Sequence, residues 1–389
     1  MQKDTTIKIR TGEELDQNIL EKYFSEQIPG FVKITGITQF PGGFSNLTYL
    51  ISYQLSAFSL QPSEEKLSAD SLLKLIADSF FVLRRPPFGN YVKSGHDMSR
   101  EFRVLTLLKK AGYVCVPEPI LFEETGNIIG VPFYIMERLD GIILRAKDAQ
   151  NPALTPEIMR SLSEKMIDNL VHLHSLNIET TGLNTLGKPE NYVQRQVSGW
   201  IKRYEQSQTD GIADMKTIAD WMTNFSPRPQ APTFLHNDYK FDNVVFSGQL
   251  STISLQPSEK KLIADSLKLI AVLDWEMSTV GDPLMDLGAA LAYWCEKTDA
   301  PFTKQFNLTW IDGCLTRQEV IDRYAQKTGR DLTDIPFYYV FGLFKNAVIM
   351  QQIYSRWKSG ATNDPRFAGL IAGVYELSKM GVKAISYQV

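Results

Sequence analysis

The chain has 389 residues, enough for two or three domains, and its 43% hydrophobic and 22% charged residues are the balance of an ordinary globular enzyme. A formal net charge of −3 supplies no basic field for a nucleic acid, and no apolar run approaches the roughly 20 residues that span a bilayer. MQKDTTIKIRTGEELDQ at the start lacks the apolar core of a secretory signal, and Cys115, Cys295 and Cys314 show neither disulfide nor zinc spacing. The expectation is a cytoplasmic protein with no membrane insertion, its oligomeric state open.

In chain order, residues 1–139 read mainly as strands with one helix. ITGITQF and NLTYLISYQL are rich in β-branched and aromatic residues, and the PGG between them is a turn. FFVLRR is a third strand, whose alternation places Val82 and Arg84 on one face and Leu83 and Arg85 on the other. HDMSREFRVLTLLKKAGY switches to helical spacing, with Phe102, Leu105 and Leu108 on one stripe and a glycine near its end. IIGVPFYIMERLDG is a further strand run, closed by Asp140-Gly141. From residue 140 to 389 the chain is helical, in PEIMRSLSEKMIDNLVHLHSLN, NYVQRQVSGWIKRYEQS and FYYVFGLFKNAVIMQQIYSRW, except for a β-like island from Phe234 to Trp275. Strands first, then helices around a β island, predict an α+β protein of two lobes, 1–139 and 140–389, with a cleft between them.

One peptide occurs twice, as SLQPSEEKLSADSLLKLIA (Ser59–Ala77) and SLQPSEKKLIADSLKLIA (Ser254–Ala271). Both copies sit between strand-like runs, within 56–79 and 250–271, where tight hairpin turns belong. Pro62 and Pro257 stand at the starts, and Ala69, Leu72, Leu73 and Ile76 recur at helical spacing, so each copy is expected to form a short amphipathic helix. A solenoid needs contiguous repeats. Insertion at a hairpin tip is cheap, because loop closure rises only about 0.6 kcal/mol per doubling of length. The copies resemble the in-frame palindromic elements of some intracellular bacteria, and neither is expected to act in catalysis.

FLHNDYKFDNVVF carries His236-x-Asp238-x-x-x-x-Asn243, and AVLDWEMSTVGDPLMDLG puts Asp274 at the end of a short apolar strand. Metal-assisted phosphoryl transfer to a hydroxyl needs such a set. One carboxylate orients the hydroxyl and takes its proton, while an asparagine oxygen and a second carboxylate hold Mg²⁺ against nucleotide phosphates. Asp238 and Asp274 are 36 positions apart, and without residues 254–271 the separation is 18. Glu276 would share the face of Asp274 if the strand ran on, as a water-mediated metal contact or an exposed carboxylate.

These motifs, with FVLRRPP, SREFRVL and GLFKNAVIMQQIYSRW, resemble the aminoglycoside phosphotransferase and choline kinase branch of the protein-kinase-like fold. Within it they look most like the kinase-like domain joined to acyl-CoA dehydrogenase in family members ten and eleven. The resemblance covers about Phe31 to Gly381 apart from the two repeats. It implies a bilobal fold with a small antiparallel β N-lobe and a larger helical C-lobe. It also implies ATP and Mg²⁺ as cofactors, and a small hydroxylated substrate. Carried over by residue, Asp238 is expected as catalytic base, and Asn243 and Asp274 as metal ligands. His236 is expected to brace the loop around the base, and Lys240 to meet the transferred phosphate or stay solvated. Asn237 stands where this family usually has glycine, and asparagine tolerates positive φ. Asp286 is expected to anchor backbone amides of its own loop.

The resemblance also makes FPGGFSNLTYL the phosphate-covering loop. There Gly42 and Gly43 allow close backbone approach, and Ser45 and Asn46 add donors. Arg84 takes the place of the α/β-phosphate ligand, held by Glu101, and arginine keeps the charge while adding a fork. Met136 to Leu139, with Glu137 inside, is the expected adenine-pairing hinge, Met136 gating the pocket. For the acceptor the sequence offers aromatics: Trp200, Tyr204, Tyr293, Trp294, Tyr338, Tyr339, Phe341, Phe344, Tyr354 and Trp357. No acidic run meets the ammonium groups of an aminoglycoside, which favours a neutral or apolar acceptor such as a hydroxyacyl compound. An aminoglycoside or choline-type kinase is one alternative. A pseudokinase-type nucleotide-binding scaffold is another, against which the retained base and metal ligands count.

Overall fold

The computed structural model describes residues 6–41, 46–56, 79–88, 97–248, 266–362 and 364–387. They divide into two units, one running through Gly141 and the other from Ile142. In the first unit, strands β1 (Phe31–Gln39), β2 (Leu47–Leu55), β3 (Ser79–Arg85), β4 (Pro119–Glu123) and β5 (Phe133–Glu137) form one antiparallel sheet, ordered β1-β2-β3-β5-β4. The sequence pattern predicts one helix here. Among the described residues there are two, α1 (Gln17–Gln27) and α2 (Met98–Lys110), and β4 is added. Asp16 caps α1 by accepting from the amides of Asn18 and Ile19.

Leu20 and Phe24 of α1 pack on Phe31, Tyr49, Ile51, Phe81, Leu83 and Ile135. The β2, β3 and β5 members are odd-numbered, so they share the sheet face that α1 covers. The opposite face of β3 carries Val82 and Arg84, and Arg84 pairs there with α2 through Glu101. Two faces of one strand thus serve two purposes, core on one side and a buried ion pair on the other.

The second unit contains helices α3 (Pro156–Ser175), α4 (Tyr192–Ser207), α5 (Ala213–Asn224), α6 (Pro283–Tyr293), α7 (Arg317–Thr328), α8 (Ile335–Lys358) and α9 (Leu370–Tyr387). Two small antiparallel pairs accompany them: β6 (Thr233–Leu235) with β9 (Thr279–Gly281), and β7 (Val244–Ser247) with β8 (Lys268–Val272). Every residue of α8 from Phe337 to Val348 is buried, as expected of a helix that is apolar nearly all round. Its crossing with α6 is close because two glycines meet. A Cβ on Gly288 would lie 2.3 Å from the Tyr338 carbonyl oxygen, and one on Gly342 would lie 2.5 Å from that of Gly288. No helix among the described residues is long and apolar enough to cross a membrane.

The predicted repeat helices at 59–77 and 254–265 lie outside the described residues. The end of the second copy is a correction. Lys268–Ala271 are strand, not helix, with Lys268, Leu269 and Ala271 paired to Ser247, Phe246 and Val245. A partner strand and a half-buried position decide β structure more than local spacing does. Exchanging 249–265 for a short glycine turn should therefore leave the thermal transition close to wild type. Extending the cut through Ala271 removes most of β8 and should lower it sharply, which calorimetry of the two variants would read.

Candidate active site

β6 ends at Leu235 and delivers His236, Asn237 and Asp238 into a loop whose backbone is fixed by Asp286 in the first turn of α6. Asp286 Oδ2 accepts the His236 N–H at 2.7 Å, and Oδ1 accepts the Asn237 N–H at 2.7 Å. His174 of α3 approaches Oδ2 at 3.1 Å through Nε2, and its Nδ1 is 2.7 Å from the Tyr324 hydroxyl of α7. The amides that Asp286 anchors thus belong to the loop after β6, not to its own loop as expected. Burial pushes the Asp286 carboxyl up, but His174 and the His236 amide outweigh it and hold it below the usual carboxylate range. Asn237 takes φ 65, a conformation asparagine tolerates. Its side chain binds Tyr192 and the Met277 carbonyl.

His236 is fully buried. Its Nδ1 accepts the Asp238 N–H at 3.1 Å, which leaves the proton on Nε2, 2.9 Å from the Leu273 carbonyl. Both ring nitrogens therefore serve backbone, tying the loop to the residue before Asp274. Asn243 closes the same ring of contacts. Its Nδ2 donates to the Asp238 carboxylate at 2.8 Å and to the Asp238 carbonyl at 2.9 Å, and its own carbonyl accepts the Leu273 N–H at 2.8 Å.

Asp274 sits at φ 66, ψ 63, a left-handed position that a non-glycine residue holds only where its surroundings enforce it. Trp275 helps, with its indole N–H 2.9 Å from the Val272 carbonyl and its ring 4.7 Å from that of His236. The chain then enters a 3₁₀ turn, Trp275–Met277. The strand does not run on past Asp274, so the alternation expected to put Glu276 on its face does not apply. Among the described residues no group of three or more His, Cys, Asp or Glu is arranged to hold a metal ion. The asparagine oxygen and the Asp274 carboxylate are hard donors. They suit an ion such as Mg²⁺, which takes one or two protein ligands and fills its shell with phosphate and water.

The Asp238 side chain is 14% exposed and lies 2.9 Å from Lys240 Nζ. Burial alone would raise its pKa, but Lys240 and Lys345 overcome that and hold the carboxyl below its ordinary value. Lys240 is therefore paired rather than freely solvated, and it also lies over the Tyr293 ring at 4.7 Å. Lys345 of α8 escaped the sequence reading. It is 3% exposed, donates to the Asn237 carbonyl at 2.5 Å, and is pushed down to about 8 by burial, against the pull of Asp238 and Asp286. The signal was a lone lysine inside an otherwise apolar helical run. Beside it lies a cavity of about 200 Å³, walled by Tyr192, Gln196, Trp200 and Arg203 of α4 and by Asn237 and Lys345. Of the expected acceptor aromatics, Trp200 and Phe341 line this cavity, whereas Tyr204, Tyr338 and Phe344 are core.

In the first unit Arg84 Nη1 is 3.4 Å from Glu101 Oε2. Tyr134, opposite Arg84 in the sheet, donates its hydroxyl to the same oxygen at 2.9 Å. Asn46 donates its amide to Glu101 Oε1 at 2.8 Å and is 1% exposed. One N–H of the Asn46 amide is thus committed to Glu101. Gly42, Gly43 and Ser45 lie outside the described residues. Glu137 ends β5 with its N–H on the Glu118 carbonyl at 2.9 Å, so that donor is spent within the sheet edge rather than on a base. Met136 is buried, Leu139 is half-buried, and Arg138 lies over the Phe40 ring.

The sequence profile of the phosphotransferase enzyme family matches residues 36–253 and 262–320, breaking inside the second repeat copy. Acyl-CoA dehydrogenase family member 11 of Rattus norvegicus is 30% identical over 363 residues, 91% of this chain and 41% of the relative. Member 10 of Mus musculus is 31% identical over 365 residues, 91% of this chain and 30% of the relative. The chain thus spans less than half the length of these relatives. A provisional aminoglycoside phosphotransferase of Ralstonia eutropha JMP134 superposes with a TM-score of 0.71 at 27% identity, over 96% of this chain and 99% of that one. The choline kinase of Cryptosporidium parvum Iowa II gives 0.54 at 14% identity, over 96% and 99%, a likeness of fold alone.

The depressed pKa of Lys345 carries a stability prediction. Between about 8, folded, and 10.5, its ordinary value, the unfolded chain binds the extra proton, so stability rises as pH rises through that window. Below it the buried charge opposes folding by about 3 kcal/mol. Lys345→Met should accordingly melt higher than wild type at pH 7, with the gain shrinking toward pH 10.5. Thermal melts across that range would check it.

Proposed function

We propose, on the premise that this chain belongs to the phosphotransferase enzyme family, that it is an ATP- and Mg²⁺-dependent kinase acting on the hydroxyl of a small molecule. The observation that carries this reading is the bonded cluster around Asp238. An ionised carboxylate is held by Asn243 and Lys240, and Asn243 is tied through Leu273 to the turn bearing Asp274.

In the proposed reaction the acceptor oxygen forms a bond to the γ-phosphorus while the bond from that phosphorus to the β,γ-bridging oxygen breaks. ADP leaves, and the acceptor's proton passes to Asp238. Little covalent work is asked of the protein in a loose transition state, so position and charge do most of it. Asp238 orients the hydroxyl, and Lys240, a neighbour of that carboxylate, is suited to charge on the transferred group. His236 acts as a positioning residue, since backbone groups occupy both its nitrogens. The Asn243 side-chain oxygen and Asp274 would hold Mg²⁺, which when bound neutralises phosphate charge. In the first unit Arg84 is the proposed α/β-phosphate ligand, steadied by Glu101, which Tyr134 and Asn46 hold in turn.

The acceptor is proposed to occupy the cavity beside Asn237. The curated relatives are named for acyl-CoA dehydrogenation, which fits an acceptor of the hydroxyacyl kind. Turnover is favoured over a nucleotide-binding scaffold because Asp238, Asn243 and the Asp274 turn remain in one hydrogen-bonded set. The wide separation of the three cysteines in sequence, with neither disulfide nor zinc spacing, supports a cytoplasmic setting.

A phosphate-transfer screen from ATP–Mg²⁺ to hydroxyacyl compounds, choline-like alcohols and aminoglycosides tests the reading. Asp238→Asn should lower turnover by about 10²–10⁴-fold with ATP binding retained, and Asp274→Ala should abolish Mg²⁺-dependent nucleotide binding. Wild-type rates in both variants would remove the site assignment. A folded wild-type protein that binds no ATP–Mg²⁺ would remove the kinase reading itself.

A further inference from the structure

The cavity beside Asn237 has a cationic character that the sequence did not announce. Tyr192, Gln196, Trp200 and Arg203 lie on one stripe of α4, about a turn apart, and form one wall. Arg203 stacks on the Trp200 ring at 4.6 Å, and Lys345 lies 5.9 Å from the same ring on the other side of the space. Among the described residues the hydrogen bond of Lys345 goes to the Asn237 carbonyl, and no carboxylate forms an ion pair with it or with Arg203. The nearby carboxylates are already engaged, Asp238 by Lys240 and Asp286 by His174 and two backbone amides. Two cations therefore line one small cavity whose lining holds no carboxylate, with Asp238 and Asp286 acting on Lys345 from beyond ion-pair distance.

We infer that this cavity recognises the anionic oxyacid group of a small hydroxylated acceptor, a carboxylate or a phosphate monoester, through Lys345 and Arg203. The inference rests on the kinase reading for the acceptor's fate, but not for its binding. The volume agrees: a cavity of about 150 Å³ holds a benzene molecule, so about 200 Å³ suits a short-chain acid or phosphate ester. Charge agrees as well, because a choline-like or polyamine acceptor would meet two like charges there. Lys345 bridges the two functions of the region. Its ammonium holds the carbonyl of the residue before Asp238, so an anion bound to it is seated directly beside the proposed base. An acceptor carrying its hydroxyl a few bonds from its acid group would then present that hydroxyl toward Asp238.

The test uses four probes of similar size: 3-hydroxybutyrate, its neutral amide, 3-hydroxypropyl phosphate and choline. Binding is measured by calorimetry on the full chain carrying Asp238→Asn, and phosphorylation is measured on the wild-type chain. At least one anion should bind about tenfold or more tightly than the amide, with choline weakest. Which anion leads separates a carboxylate from a phosphate source. Lys345→Met and Arg203→Met should each erase that preference, raising KM for the anion and leaving the amide unaffected. Lys216→Met, an exposed cation of α5 outside the cavity, should preserve it. Equal binding of anions and amide would overturn the inference. So would a uniform fall in kcat for every probe in Lys345→Met with the binding preference for the anion over the amide intact, since that is the signature of a lysine that merely tunes Asp238. Anion binding with no phosphorylation of any probe would leave the cavity's ligand class standing while counting against the kinase reading, so the two can fail separately.

Discussion

A carboxylate as deep as that of Asp286 survives only where hydrogen-bond donors take the place of water. Its two oxygens collect the His236 and Asn237 amides and the His174 ring, and each of those donors is thereby given an address. The helix that carries Asp286 is itself fixed, because the Gly288–Gly342 contact lets α6 lie against the central helix α8 with no side chain between them. The loop after β6 must come to that point. Once it does, His236 reaches the Leu273 carbonyl, Asn243 reaches Asp238, and the turn at Asp274 follows.

The two units solve a similar problem in a similar way. In the first, Glu101 is a buried carboxylate held by Arg84, Tyr134 and Asn46, so a cation is steadied by an anion that is itself over-determined. In the second, Asp238 is flanked by Lys240 and faced by the buried Lys345, and positive charge prevails around the carboxylate. Lys345 opposes folding in that environment, yet it sits within the fully buried stretch Phe337–Val348 of α8. A destabilising charge retained at a site is a familiar trade of stability for activity.

Much of this was legible in the residues. Asp238, Asn243 and Asp274 stood out because spacing and strand boundaries constrain them together, and Arg84 and Glu101 were named through the family resemblance, with β alternation setting only the face of Arg84. What escaped depended on tertiary partners. α1 is short, and its Leu20 and Phe24 gain meaning only against the sheet they cover. Lys345 sat among aromatics that read as core, and burial beside the Asn237 carbonyl is a fact of packing, not of pattern. The bond from the Asn46 amide to Glu101, 55 residues away in sequence, is likewise a fact of packing. Glu276 was placed by extending a strand that the left-handed turn at Asp274 ends.

Lys268, Leu269, Ile270 and Ala271 belong both to the twice-used peptide and to β8. A segment that reads as a late arrival has thereby become framework, since β8 runs directly into the turn on which Asp274 stands. Loss of the whole peptide would not restore an older protein, because it would take away the strand that now completes the pair with β7. The second copy therefore carries a structural demand at its end, where Lys268–Ala271 must suit a strand.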